Sequence, residues 1–490
     1  MNSYLQHYID GAWVDSDGGE RRDVINPATE QPVSEIILGT AADVDKAVAA
    51  ARRAFTTFSQ TSVAERIALL EAIIAEYKLR IPDLAKATSE EMGAPIGFAN
   101  QAQAPAGLGY LLGTLAALKE FAFSEQVGKN RVVYEPVGVV AMITPWNWPL
   151  NQICAKVAPA LAGGNTMILK PSEETPGCAI ILAQILEKAG VPAGVFNLVN
   201  GDGPGVGAAL SSHKGVDMVS FTGSTRAGIA VAQAAAATVK RVHQELGGKA
   251  PNLVLEGADL AQVLPPTVQG VLANSGQSCI APTRLLVHAD QAEAAAGTVK
   301  AIMEGAAVGD PAEAGAHLGP VVNKAQFDKI QELIQNTIDA GATLVTGGTG
   351  RPDGRNAGYF VKPTLFTGVT PDMRIWREET FGPVATITTY GDADEAIELA
   401  NDTDYGLSAT ISGDPVAAAK VAPKLRAGLV TINAWGGGGG TPFGGYKQSG
   451  NGREGGKYGL ADFMELKTIV GEPTAAAASP DATQGIIAAS

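Results

Sequence analysis

Residues 137–172 read VGVVAMITPWNWPLNQICAKVAPALAGGNTMILKPS. Two short apolar, β-branched runs, VGVVAMITP (137–145) and TMILKPS (166–172), bracket a helix-length segment at 152–161. Strand, helix, strand in this order predicts parallel pairing through a crossover helix. The unit repeats downstream in VFNLVNG (195–201) and MVSFTGS (218–224), with helical segments at 176–189 and 226–238. A second alternating series starts at PNLVLEG (251–257). It continues through RLLVHAD (284–290), ATLVTGG (342–348), VATITTY (384–390), LSATISG (407–413) and LVTINA (429–434). The fold class expected is α/β, with two parallel-sheet-containing domains joined near HQELGGK (243–249).

Upstream, apolar residues recur at helical spacing over 41–58 and 64–92, predicting two amphipathic helices, with a third over about 107–123. RVVYEP (131–136) and ELKTIVG (465–471) are strand-like pieces outside both series, and an Ala- and Ser-rich tail from Pro473 reads as flexible. A formal charge of −14 over 490 residues argues against nucleic acid or an anionic membrane as partner. The opening MNSYLQHYIDGAW lacks the basic and apolar regions of a signal peptide, and the long uncharged stretches are interrupted by Pro, Gly and amides. Cys154, Cys178 and Cys279 are too few and uneven for a disulfide framework, which suits a reducing compartment. A cytoplasmic protein without a membrane span or metal site is expected.

NSGQSCIAPTR (274–284) places Cys279 behind Gly and Gln, either as a buried structural thiol or as an exposed nucleophile. A cysteine at its ordinary pKa is only about 3% thiolate at pH 7, so a nucleophile needs activation. None of the five histidines stands in a setting that suggests a protease-type base. Glu245, in ELGGK, is either a solvated carboxylate or a base beside an acyl-thioester. PWNWP (145–149) is either a rigid aromatic turn or a frame that aims the Asn147 amide at an oxyanion. For a phosphate, GPGVGA (203–208) matches G-x-G-x-x-G/A weakly. FTGSTRAG (221–228) offers a strand, Gly-Ser-Thr and a helix start. Lys170 and Glu173 follow a strand end, where open α/β sheets bind ligands.

PWNWP, LKPSE, FTGST, ELGGK, GQSC, EETFGPV and PFGGYKQSG, in this order and spacing, make the chain from about residue 5 to 471 resemble the aldehyde dehydrogenase superfamily, in its non-acylating branch. The resemblance implies a Rossmann-like dinucleotide-binding domain at 1–128 and 138–246 and a catalytic domain at 247–440. It further implies an oligomerisation arm at 129–137 and 460–475, with a flexible tail at 476–490, in a homodimer or homotetramer. It makes Cys279 the nucleophile, Asn147 the oxyanion donor and Glu245 the base that activates water. Lys170 and Glu173 would hold the adenosine ribose, Gly223 and Ser224 the pyrophosphate, and Trp146, Glu379 and Phe381 the nicotinamide half. Lys156 and Glu465 would support catalysis.

The implied reaction is NAD-dependent oxidation of an aldehyde to a carboxylic acid through a cysteine thiohemiacetal and thioester. NAD is expected over NADP because Glu173 would repel an added phosphate. A non-catalytic NAD-binding or structural descendant of the family is the alternative. Trp148, Asn151, Gln152, Ser278, Ile280 and Trp435 would line the substrate tunnel. No arginine stands out as a carboxylate clamp, which disfavours a semialdehyde substrate. The run at Gly436–Gly440 either widens the tunnel mouth for bulky or aromatic aldehydes or is a plain connector.

Overall fold

The computed structural model describes residues 2–315, 317–437 and 440–471. The expected tail at 476–490, the end of the expected arm and the middle of the glycine run lie outside the described residues. The decisive stretch folds as strand Val139–Ile143, helix Pro149–Gly163 and strand Thr166–Lys170, the two strands pairing in parallel from Val139↔Thr166 to Ile143↔Lys170. Every residue of both strands is buried, as a sheet covered on both faces requires. The pleat sends alternate side chains to opposite cores. Val139, Ala141 and Ile143 join the core under helix Ala41–Phe58, while Val140 and Met142 join the core under helices Pro149–Gly163 and Pro176–Lys188.

The seven-stranded sheet runs Arg241–Glu245, Met218–Thr222, Val139–Ile143, Thr166–Lys170, Phe196–Leu198, then Gln6–Ile9 and Ala12–Asp15. The first five are parallel, and the N-terminal hairpin adds two antiparallel strands at the far edge. The second sheet runs Thr343–Thr346, Thr364–Thr367, Val384–Tyr390, Arg284–His288, Pro251–Val254, Ser408–Ser412 and Leu429–Ile432. It is parallel except at Thr343–Thr346. Thr364–Thr367, a short TLFT strand, escapes the sequence reading. HQELGGK bridges the sheets: Arg241–Glu245 ends the first and Pro251–Val254 begins the second.

Three expectations change. The segment 64–92 is two helices, Val63–Leu79 and Ile81–Met92, because Arg80 leaves the helical conformation and Pro82 starts a new first turn. The arm is a three-stranded antiparallel sheet of Met464–Ile469, Asn130–Pro136 and Ser124–Val127, so it takes in residues before 129. Its last strand begins only after helix Gly456–Asp462.

Helix starts follow local chemistry. Thr40 with Asp43 and Ser62 with Glu65 form reciprocal capping boxes, and Gly93 and Gly164 close helices at φ 85°. Glu91 is the unusual buried group. It accepts from the Gly177 N–H (2.9 Å) and the Ser34 hydroxyl (3.1 Å), and burial pushes its carboxyl from 4.5 up to about 8. Between those pH values the unfolded chain releases a proton that the folded chain keeps. The contribution of this group to stability is therefore full below pH 4.5 and is lost as pH rises towards 8. Glu91→Gln is expected to remove that slope and to stabilise the protein at pH 8 by on the order of 3 kcal/mol. Urea unfolding of both proteins at pH 5 and pH 8 checks it; equal slopes would refute it.

Candidate active site

Cys279 sits in the loop between helix Leu260–Leu272 and strand Arg284–His288, after a turn with three successive left-handed residues. Asn274 and Ser275 have φ 56° and 55°, and Gly276 has φ 76°. A Cβ on Gly276 would fall 2.1 Å from the carbonyl carbon of Gly382, so only glycine fits there. Side-chain bonds fix the rest. Ser275 Oγ donates to the Gly319 carbonyl (2.8 Å), Gln277 Nε2 donates to the Asn274 carbonyl (3.0 Å), and the Val322 N–H donates to Gln277 Oε1 (2.9 Å).

PWNWP is tied directly to this loop. The Asn147 amide donates to the Gln277 carbonyl (3.0 Å), and the Trp148 indole N–H donates to Ser278 Oγ (2.9 Å). The Asn147 carbonyl accepts from Asn274 Nδ2 (2.8 Å) and Gln103 Nε2 (3.2 Å). Asn147 is thus held at both ends, with a second amide N–H to offer.

ELGGK packs against the same loop. A Cβ on Gly248 would lie 2.4 Å from the Cys279 carbonyl oxygen, and one on Gly247 would lie 2.5 Å from Glu379 Oε2. The Gly248 N–H donates to Glu379 Oε1 (2.9 Å). Glu245 is buried, and neither carboxylate oxygen has a hydrogen-bond partner among the described residues. Burial, then neighbouring Glu454, raises its pKa well above the carboxylate range, against the pull of Lys156 and Arg453. Burial, then Glu379, Glu245 and Glu454, raises the Cys279 thiol as well. Burial and the crowding of carboxylates both favour the protonated forms of Cys279 and Glu245.

Cys279 opens on a cavity of about 350 Å³, within the range of small-ligand sites. All six side chains expected in the tunnel line it: Trp148, Asn151, Gln152, Ser278, Ile280 and Trp435. Tyr110, Phe443, Gly437 and Gly440 line it too, and among the described residues no Asp, Glu, Lys or Arg does. Of the two supporting residues, Lys156 is buried and donates to Glu454 Oε1 at 2.8 Å. Glu465 does not reach the site. It lies on strand Met464–Ile469, paired with Arg241 at 2.9 Å, and the carboxylate that meets Lys156 is that of Glu454. Glu454 and Tyr110 were missed by the sequence reading. Their only cue is proximity to GREGG and to a glycine-rich helix, and neither is a catalytic signature on its own.

Lys170 and Glu173 lie at the carboxyl end of their strand. Lys170 Nζ donates to the Gly201 carbonyl (2.8 Å) and to Glu173 Oε2 (3.2 Å), while Arg22 approaches Glu173 to 3.9 Å. Gly223 follows strand Met218–Thr222, and Ser224 caps helix Thr225–Ala236 by accepting from the Ala227 N–H (3.3 Å). GPGVGA is less open to phosphate: the Asp202 carboxylate already accepts from the Gly205 N–H (2.7 Å). Phe381, at φ 56°, meets Trp146 edge-on at 5.4 Å between ring centres. Lys249 Nζ donates to Thr380 Oγ1 (3.2 Å) in the same loop, and burial beside Arg284 pushes its pKa down to about 7. Thr144, Asn200 and Thr222 carry buried polar atoms without partners along the carboxyl edge of the sheet. That edge is where a nucleotide would satisfy them.

A thiol, a buried carboxylate and a fixed amide converge beside a ligand-sized cavity where two α/β sheets meet. The chain belongs to the aldehyde dehydrogenase family, whose profile matches residues 13–469, and it is an oxidoreductase acting on aldehydes. It is 51% identical, over 96% of its length and 99% of the relative's, to 3-succinoylsemialdehyde-pyridine dehydrogenase of a Pseudomonas species. Among solved structures it matches aldehyde dehydrogenase from Bartonella henselae with a TM-score of 0.94 at 47% identity, covering 96% of this chain and 99% of that one. It matches a mutant of aldehyde dehydrogenase C from Pseudomonas syringae, complexed with NAD+ and octanal, equally well: TM-score 0.94, 47% identity, 95% and 96% covered. No helix among the described residues is long and apolar enough to cross a membrane.

Proposed function

We propose that this chain oxidises an uncharged aldehyde to the carboxylic acid with NAD, through a thioester on Cys279 that water cleaves. The observation that carries the reading is Glu245: a buried carboxylate with both oxygens unpartnered, near enough to Cys279 to raise its pKa. Such a group is costly to keep unless it handles a proton. Glu245 takes the thiol proton, and Cys279 Sγ adds to the carbonyl carbon. The Asn147 amide and the Cys279 backbone N–H donate to the oxyanion. Lys170 and Glu173 would hold the adenosine ribose, Gly223 and Ser224 the pyrophosphate, and Trp146, Glu379 and Phe381 the nicotinamide half. NAD held by these residues would supply the hydride acceptor, and loss of hydride from the carbon bonded to Cys279 Sγ would leave a thioester there. Glu245 releases the thiol proton to solvent, and its restored carboxylate then removes a proton from water as the water oxygen attacks the thioester carbon. The C–S bond breaks, the sulfur recovers a proton, and the acid departs.

The charge-free cavity lining supports an uncharged substrate, since a charged one would lose its hydration without a partner. The Pseudomonas relative is named for a pyridine-bearing semialdehyde, and the P. syringae structure holds octanal. Gly437 and Gly440, at the cavity rim, fit a wide mouth. Exposed Val127 and Leu466 on the arm fit its use in a homodimer or homotetramer. The test is product analysis with NAD, with and without coenzyme A. The acid is expected in both; acyl-CoA formed with faster turnover would overturn the hydrolytic reading.

Glu173 supports a preference for NAD over NADP. Its removal leaves the cations Lys170 and Arg22 facing the ribose site. Glu173→Gln is expected to shrink the NAD-to-NADP ratio of kcat/KM by about 10-fold or more, read from steady-state kinetics with both nucleotides. An unchanged ratio would remove Glu173 from that role.

A further inference from the structure

Lys249 is a buried cation that the reaction steps leave unused. It is 3% exposed and takes no part in lining the Cys279 cavity. Among the described residues its one hydrogen bond is the 3.2 Å bond to Thr380 Oγ1. The charged groups that face it are Arg284, Glu379, Lys329 and Glu378, and among the described residues neither glutamate forms an ion pair with it. One hydrogen bond to a hydroxyl does not offset the desolvation of an ammonium, so packing alone does not explain a lysine here. The backbone does not require it either. The Lys249 carbonyl accepts from Arg284 Nε at 3.0 Å, which fixes the main chain whatever side chain stands there.

Thr380 stands between Glu379 and Phe381, in the loop that leads from helix Arg374–Arg377 to strand Val384–Tyr390. Helix Lys324–Asp339 holds the main chain of this loop. Lys329 Nζ donates to the Glu379 carbonyl (2.8 Å), and Gln326 Nε2 donates to the carbonyls of Thr380 (3.1 Å) and Phe381 (2.9 Å). The ELGGK turn holds its side chains instead, the Gly248 N–H meeting Glu379 and Lys249 Nζ meeting Thr380. Phe381, at φ 56°, keeps a conformation that persists only where its surroundings impose it. Burial raises the Glu379 carboxyl, and the Gly248 N–H, Lys329 and Lys249 pull it back towards the ionised form that accepts from hydroxyls. Resting on the nicotinamide contacts proposed above, we infer that Lys249 is a positioning residue for that half of NAD. It fastens Thr380, and with it Glu379 and Phe381, in the arrangement that receives the nicotinamide ribose and ring.

The test measures the Kd of NAD, and of AMP, which lacks the nicotinamide half, by titration calorimetry. The proteins are the wild type, Lys249→Met, Thr380→Val, the double variant and Glu379→Gln. Methionine keeps an unbranched side chain and removes the amine. Should Lys249→Met fail to fold, Thr380→Val tests the same bond. Lys249→Met is expected to weaken NAD by about 10-fold with AMP unchanged, and to raise KM for NAD more than it lowers kcat. Thr380→Val is expected to weaken NAD too, and to add little to Lys249→Met, since both remove one bond. Hydrogen exchange over residues 378–383 is expected to quicken in Lys249→Met. Unchanged NAD affinity, an equal loss for AMP, or a full further loss in the double variant overturns the inference. If exchange in Lys249→Met stays at the wild-type rate while Glu379→Gln weakens NAD, the inference falls and the nicotinamide contacts stand. If exchange quickens but neither Lys249→Met nor Glu379→Gln weakens NAD, the nicotinamide does not bind at this loop, and both fall.

Discussion

Replacing Cys279 with alanine is expected to lower kcat by about 10⁴-fold or more, because it removes the only thiol that opens on the cavity. Cys154 and Cys178 are buried in the core of the other sheet, against helices, and cannot substitute. The variant should still fold and bind aldehyde, since the loop is held by Asn274, Ser275 and Gln277 rather than by the sulfur. Steady-state formation of reduced nicotinamide, with unfolding curves alongside, checks both halves. A variant that keeps more than about one per cent of wild-type kcat would rule out covalent catalysis at this residue.

Glu245→Gln is expected to lower steady-state kcat by about 10²- to 10⁴-fold, with the larger loss in thioester cleavage. If the hydride step outlasts the substitution, rapid mixing should show a burst of reduced nicotinamide followed by a slow phase. The pH dependence follows from burial and from Glu454, which together hold the Glu245 proton to higher pH than an ordinary carboxylate. Only the ionised form accepts a proton, so wild-type deacylation should rise with pH along a limb displaced to the alkaline side. That limb should vanish in the glutamine variant. Persistence of the same limb, or an unaffected steady state, would assign the base elsewhere.

The parts of this site that could be read from sequence are those carried by short contiguous motifs. PWNWP and GQSC announce themselves by composition; the two segments are hydrogen-bonded to each other, and Trp148, Ser278 and Cys279 from them line one cavity. Strand positions were legible for the same reason, because buried parallel strands are continuous apolar runs; the four-residue TLFT strand was too short to stand out. The break at Arg80 was signalled by Pro82, but helical periodicity continued across it. What sequence hides is meeting between distant segments. Lys156 and Glu454 are 298 residues apart, and nothing local marks Glu454 rather than Glu465 as the partner. The bond from Lys249 to Thr380 is similar: 131 residues separate them, and the pair gains meaning only once the two loops face each other.

The lone carboxylate of Glu245 has a consequence for the history of such a chain. A buried acid without partners is a standing liability to the folded state, and an apolar residue of similar volume in its place would be expected to raise the melting temperature. Selection for the reaction and selection for durability therefore pull in opposite directions at this one codon. A descendant released from oxidising aldehydes would drift towards greater sturdiness by losing this glutamate.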